Sequence, residues 1–128
     1  MIIYSISKRI KNFFKVTVKD RKNSERIYTI RDDRYITDIP NKQGYYRFFY
    51  PDGSVRAECH YVDDKLEGIS NFYYTTGKVK SRENYKEGVL SGLSQFFYES
   101  GKLKSEVYYR DGRSVSSREF DETGRQIR

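Results

Sequence analysis

Residues 68–88 read GISNFYYTTGKVKSRENYKEG: an aromatic run, a glycine, an alternating run and a second glycine. Two runs rich in Tyr, Phe and Val, parted by a short glycine-bearing break, predict a β-hairpin. Stepping outward by 24 residues finds the same pattern again. That step links Gly44, Gly68 and Gly92, then Gly53, Gly77 and Gly101, then Phe48, Phe72 and Phe96. It also links Tyr61, Tyr85 and Tyr109, and the aliphatic series Val55, Val79 and Leu103. Agreement in five columns over three copies marks a tandem repeat, in which each unit buries its apolar side by stacking on its neighbours. The copies span 44–67, 68–91 and 92–115, and a partial fourth covers 116–128, with Phe120 in the aromatic column and Gly124 one residue early.

Counting outward from the turns predicts the register. With Asp52-Gly53, Thr76-Gly77 and Ser100-Gly101 as two-residue type I′ turns, glycine supplies the positive φ at the second central position. Tyr50 then faces Val55, Phe48 faces Ala57, Tyr46 faces Cys59 and Gly44 faces Tyr61, all on one side of the sheet, called face one. Tyr74 with Val79 and Tyr98 with Leu103 continue it, and Glu83 is its polar exception. Face two pairs Phe49 with Arg56, Tyr73 with Lys80 and Phe97 with Lys104, and sets Arg47 against Glu58 and Gln95 against Glu106. A slip of one residue would exchange the two faces, so the alternation itself specifies the pairing. Second turns at Asp63-Asp64, Glu87-Gly88 and Asp111-Gly112 join one hairpin to the next. The expected fold is mainly β: an antiparallel meander of repeated hairpins in an elongated, twisted sheet with two open ends.

Residues 1–43 depart from the repeat and read as a cap segment. Ile3, Ile6, Ile10 and Phe13 or Phe14 recur at spacings of three and four, which predicts a short amphipathic helix covering face one. Phe14, Val16 and Val18 alternate as a strand does. RIYTIRDDRYITDI, residues 26–39, reads as a degenerate hairpin.

The 128 residues suit one domain with a modest core. Thirteen Tyr and eight Phe with no Trp and two Pro favour strands. The formal charge of +7 suits an acidic partner. A single cysteine, Cys59, excludes an internal disulfide framework and a cysteine-based zinc site, and points to a reducing, cytoplasmic setting. Neither a secretion signal nor a membrane-spanning run is expected, because Lys8, Arg9 and Lys11 interrupt the first apolar stretch.

No catalytic constellation emerges, and neither a cofactor nor a metal is expected. Cys59 and His60 are adjacent, so a strand sends them to opposite faces and they form no nucleophile–base pair. Cys59 reads as a small core residue, and His60 as a surface residue across from Tyr45. The doublets Asp32-Asp33 and Asp63-Asp64 fit turn chemistry better than a cation site. The glycines lack the spacing of a phosphate loop. Face two is the candidate partner-binding surface. Phe49, Tyr73 and Phe97 recur there beside Arg56, Lys80 and Lys104, with Tyr45, Arg47, Arg82 and Tyr108 around them, and these are residue types enriched at protein interfaces. Glu58 and Glu106 among the bases argue against nucleic acid.

The repeat consensus resembles the MORN-variant repeat. Gly68, Phe72, Tyr73, Tyr74, Gly77, Lys78, Val79, Tyr85 and Gly88 fit it, as do Gly92, Phe96, Phe97, Tyr98, Gly101, Lys102, Leu103, Tyr109 and Gly112. The first copy departs at Ser54 and Asp64. The resemblance implies hairpins in a curved sheet, and similarity to bacterial proteins of the YwqK-type antitoxin family implies a non-catalytic protein that neutralises a cognate toxin with an acidic surface. The alternative it implies is a scaffold or peripheral membrane protein that binds acidic lipid or self-associates through the sheet ends.

Overall fold

The computed structural model describes residues 41–128 in full, and before them three strands as backbone, Ile3–Ile10 (β1), Phe13–Lys19 (β2) and Glu25–Arg31 (β3). These three form one antiparallel sheet in chain order, and β1 runs close to the start of a second, larger sheet. That sheet has nine strands: β4 (Gly44–Phe49), β5 (Val55–Val62), β6 (Lys65–Leu66), β7 (Gly68–Tyr73), β8 (Val79–Lys86), β9 (Val89–Leu90), β10 (Gly92–Phe97), β11 (Leu103–Arg110) and β12 (Arg113–Glu119). Their order is β4-β5-β7-β8-β10-β11-β12, with β6 extending the pairing on β5 and β9 that on β8. The antiparallel meander expected from the repeat is therefore the observed architecture.

The expected N-terminal helix is not what the backbone does. Ile3–Ile10 is a strand paired with Phe13–Lys19, and its register shifts between Ile6 and Lys8. A spacing of three and four does not require a helix, since Ile3 and Ile6 are regularly paired in one strand. Isoleucine and tyrosine also favour the extended chain. The alternation of Phe14, Val16 and Val18 does belong to a strand. Of the degenerate hairpin at 26–39, β3 covers the first part, and 32–39 lie outside the described residues. The covering of face one by this segment falls on side chains outside the described set.

Inside the hairpins the counted register holds: Gly44↔Tyr61, Tyr46↔Cys59, Phe48↔Ala57, and in the next copies Gly68↔Tyr85, Phe72↔Ser81, Gly92↔Tyr109 and Phe96↔Ser105. Near the turns it does not. Phe49 pairs with Val55, Tyr73 with Val79 and Phe97 with Leu103, each after a register shift. The turns explain the difference. Gly53 N–H donates to the Tyr50 carbonyl and Tyr50 N–H to the Ser54 carbonyl, a bonding pattern repeated at Tyr74–Lys78 and Tyr98–Lys102. Gly53 has φ 91° while Asp52 keeps a negative φ, so the loop is a turn closed by a glycine bulge and not a type I′ pair. A second bulge at Arg56, Lys80 and Lys104 then restores the deeper register.

Type I′ geometry sits at the other turns. Asp63 and Asp64 both have positive φ, 50° and 65°, as do Glu87 with Gly88 and Asp111 with Gly112. Asp64 holds without glycine because of its carboxylate. It accepts from the Lys42 N–H at 2.6 Å and the Asn41 N–H at 3.0 Å, and pairs with Lys42 Nζ at 3.2 Å. The Lys42 N–H bond is the chief reason its carboxyl stays below the usual carboxylate range.

Hairpins join through a wider irregularity. From Tyr61↔Leu66 to Glu58↔Asn71, β5 advances three residues while its partner advances five, leaving Glu67 and Gly68 as an insertion; Ser91 and Gly92 repeat it. At the fourth copy one inserted residue is gone. Tyr109 pairs with Ser114 and Tyr108 with Ser116, so β11 and β12 run together along their whole length. This is the deletion that places Gly124 early. A tyrosine bridges each junction: the hydroxyls of Tyr50, Tyr74 and Tyr98 donate to the carbonyls of Tyr73, Phe97 and Phe120 at 2.6, 2.6 and 2.9 Å.

The buried apolar residues cluster on face one of the first hairpin: Tyr46, Phe48, Ala57, Cys59 and Tyr61. Fully burying a ring such as Phe48 contributes roughly 1.5–3 kcal/mol. In later copies serines take over, with Ser70 and Ser94 at the Tyr46 position and Ser81 at that of Ala57, all buried. Phe72 and Phe96 are half-buried there.

Two outcomes follow. Tyr74→Phe strands the Phe97 carbonyl without its hydroxyl donor and should lower stability by about 1 kcal/mol in urea unfolding. Gly112→Ala should lower the melting temperature more than Gly101→Ala. Both positions have positive φ, but a Cβ on Gly112 would lie 2.9 Å from Val89 Cγ1 whereas one on Gly101 meets open space. The shared backbone strain is about 1–2 kcal/mol.

Candidate functional site

The register lines face two up in rows that cross the strands. Tyr45 pairs with His60, Ile69 with Asn84, and Leu93 with Tyr108, which pairs in turn with Ser116. From this row Tyr45, Ile69, Leu93 and Tyr108 project with 54, 59, 47 and 46 % of their surface exposed. Tyr45, Ile69 and Leu93 stand one repeat step apart, so a single column of the repeat sets an apolar row on this face, with Val62 and Val89 exposed beside the turns.

The adjacent row is ionic. Arg47, Glu58, Asn71, Arg82, Gln95, Glu106 and Arg118 follow one another by pairing. Arg47 Nε lies 3.2 Å from Glu58 Oε2, Gln95 Nε2 donates to Glu106 Oε1 at 3.0 Å, and Arg118 Nη2 donates to Glu106 Oε2. The Tyr73 hydroxyl donates to Glu58 Oε1 at 2.5 Å. Exposed ion pairs of this kind contribute about 0.2–1 kcal/mol each, so their main effect is to hold the long side chains in order.

The expected ring–cation pairs are rearranged. Arg56 lies over Tyr50 at 5.8 Å, Lys80 over Tyr74 at 5.8 Å and Lys104 over Tyr98 at 5.6 Å, while Arg82 lies over Phe97 at 5.8 Å. Phe49, Tyr73 and Phe97 are thus not cross-strand partners of Arg56, Lys80 and Lys104. The bulge beside each turn carries those cations out of the ladder and onto the tyrosine that bridges to the next hairpin.

Of the ten residues singled out from sequence, Tyr45, Arg47, Arg82 and Tyr108 stand exposed in the two rows. Lys80 and Lys104 are exposed beside the turns, and Phe49, Arg56, Tyr73 and Phe97 are half-buried. Ile69 and Leu93 were missed. The repeat step from Tyr45 points to both, but aliphatic side chains carry no chemical signal of their own.

The remaining polar groups are structural. His60 stacks on Tyr45 with ring centres 4.4 Å apart, and its Nδ1 lies 2.9 Å from the Glu67 carbonyl, which can accept and not donate. Burial pushes the Cys59 thiol up to about 11, which keeps it protonated and unreactive. Glu83, the polar exception on face one, accepts from Ser81 Oγ at 2.9 Å and from the Tyr85 hydroxyl at 2.5 Å. Burial first, then Glu83, raises the Tyr85 hydroxyl well above the usual phenol range.

Tyr73 gives a titration to follow. Burial, then its bond to Glu58, pushes its hydroxyl from 10.0 up to about 12. Because the folded value lies above the unfolded one, its contribution to stability is complete below pH 10 and is lost as the pH rises toward 12. Glu58→Gln should move one tyrosine's ultraviolet titration back toward 10.0, and Tyr73→Phe should remove that titration.

A family model described as the MORN repeat variant matches residues 42–63, 66–87 and 90–111. Comparison with the curated proteins and with the solved structures finds no match. Among the described residues no helix is long and apolar enough to cross a membrane. MORN repeats are in general protein- or lipid-binding repeats, and the family is not a catalytic one. With three successive matches lying on three successive hairpins of one sheet, the chain belongs to the MORN repeat variant family.

Proposed function

We propose that the chain is a non-catalytic binding protein of the antitoxin or immunity class, which uses face two to cover the working surface of a cognate protein toxin in the cytoplasm. One observation carries the binding reading: the apolar row of Tyr45, Ile69, Leu93 and Tyr108, held exposed by the repeat beside an ionic row. Covering such side chains with a partner would contribute up to roughly 1.5–3 kcal/mol each, and a few anchors of this kind dominate an interface. A sheet braced by ladders and tyrosine bridges presents these anchors without ordering them first, which lowers the entropy lost on association. The net charge of +7 favours a toxin whose surface is acidic over one whose groove binds nucleic acid.

The test is binding to the protein encoded beside this gene. The expected result is a complex that co-purifies and suppresses that protein's toxicity. Ile69→Ser with Leu93→Ser should weaken it about a hundredfold or more while leaving the melting temperature nearly unchanged. Failure of the wild-type chain to bind that neighbour at micromolar concentration would overturn the antitoxin reading.

A further inference from the structure

We propose that the partner element seated on face two is an extended acidic segment with an apolar residue at every third position, its carboxylates held by Lys65, Lys86, Arg110 and Arg113. The proposal rests on the reading that face two binds protein, and it names residues outside the set first singled out for that role.

The four cations flank the two-residue turns: Lys65 pairs with Val62, Lys86 with Val89, and Arg110 with Arg113. All four are exposed, and none forms an ion pair with a described residue. This contrasts with the ionic row on the other flank of the apolar row, where Glu58 and Glu106 each hold an arginine. Among the described residues, unpaired positive charge therefore lies on both sides of Tyr45, Ile69, Leu93 and Tyr108, with Arg82, Lys80 and Lys104 resting over rings on one side and these four cations on the other. By strand alternation Lys86 and Arg110 follow the face-one residues Tyr85 and Tyr109 and so belong to face two.

A recess marks the centre of this strip. Where the Ser91-Gly92 insertion parts β8 from β10, a hollow of about 480 Å³ opens, lined by Lys86, Arg110, Asn84 and Tyr108 and also by Glu67, whose Oε2 accepts from the Glu87 N–H at 2.7 Å. Its floor requires glycine, because a Cβ on Gly92 would approach Asn84 Nδ2 to 3.1 Å and φ there is 85°. A carboxylate entering the hollow reaches an ammonium, a guanidinium and a carboxamide, while its neighbours in sequence lie over Leu93 and Tyr108.

Spacing and twist select the occupant. Tyr45, Ile69 and Leu93 sit two strands apart, at least about 9.5 Å at the usual strand separation of ~4.8 Å, since the insertions part the hairpins at this level. An extended chain of the polyproline II type has three residues per turn, so it brings every third residue to the same side at a repeat of about 9 Å. The strands twist by about 20–25° at each step, so over the four steps from β4 to β10 the face turns through roughly 80–100°. A flat bilayer or a straight helix touches such a row over part of its length, whereas an extended segment follows it.

The probe is a synthetic peptide with leucine at every third position and glutamate between, measured against one with serine for leucine, one with lysine for glutamate, and vesicles of mixed phosphatidylserine and phosphatidylcholine. Saturable binding of the leucine–glutamate peptide is expected, weakened about tenfold or more by Lys86→Glu with Arg110→Glu, by Ile69→Ser with Leu93→Ser, and by either peptide change. Circular dichroism of the variants should match the native chain. No binding of that peptide at millimolar concentration, equal binding by the charge-reversed variant, or tighter capture by the vesicles through the same residues would overturn the proposal. If the neighbouring gene's product still binds and still needs Ile69 and Leu93 when the peptide fails, this inference falls and the antitoxin reading stands. Peptide binding without capture of that product has the opposite meaning.

Discussion

Each hairpin meets the next through a short stretch of ladder, Ala57↔Phe72 with Glu58↔Asn71 at one junction and Phe96↔Ser81 with Gln95↔Arg82 at the other. Two pairs make a weak seam, and the insertion beyond them interrupts it further. The constraint that the rest depends on is the tyrosine after each aromatic pair, which carries its hydroxyl across the seam to a carbonyl of the next hairpin. That bond satisfies a backbone acceptor near the bulge and orients the neighbouring unit at the same time. The ring is also the platform on which Arg56, Lys80 or Lys104 rests. One residue per copy thus links hairpin, junction and surface charge.

Most of the fold was legible because the repeat counts for itself. Gly44, Phe48 and Tyr61 and their equivalents set strand, face and partner once the turns were located, and the deep register needed no further information. What escaped was local. Asp52-Gly53 and Asp63-Asp64 both look like type I′ turns, and the choice between them depends on backbone angles that composition does not report. The first is a turn with a glycine bulge and the second is the true type I′ pair, held without glycine by the Lys42 contacts of Asp64. The N-terminal helix was misread for a related reason. Ile3, Ile6 and Ile10 match a helical spacing by position alone, and spacing does not report that the segment pairs with Phe13–Lys19.

The candidate site was legible in part. Tyr45, Arg47, Arg82 and Tyr108 emerged from alternation alone. The proposed ring–cation pairs were displaced because a single extra residue at Arg56, Lys80 and Lys104 shifts a side chain from its cross-strand neighbour to the tyrosine before the turn. Ile69 and Leu93 escaped because an aliphatic residue in a strand usually denotes the core. Its exposure becomes apparent only when Ser70 and Ser94, next along each strand, prove to be the buried ones. Between the first copy and the later ones the repeat exchanges Tyr46 of face one for serine, while the face-two column of Tyr45, Ile69 and Leu93 keeps a large side chain throughout.

That exchange bears on why the two faces differ in what they can do. In the first hairpin Tyr46 occupies face one and packs edge-to-face on Tyr61, with ring centres 5.5 Å apart. In the later copies serine stands at that position and a carboxylate, Glu83, stands where Cys59 did, with its oxygens engaged by Ser81 and Tyr85. Groups engaged with one another as Glu83, Ser81 and Tyr85 are have little left to offer a ligand, and the buried serines beside them add no protruding anchor. Face two has the reverse arrangement, with a large side chain projecting at each repeat and basic groups beside the turns that form no ion pair with a described residue. Serine in place of Tyr46 thus thins the core toward the C-terminal end while the residue before it stays large and exposed in every copy, and folding and recognition draw on opposite sides of one strand.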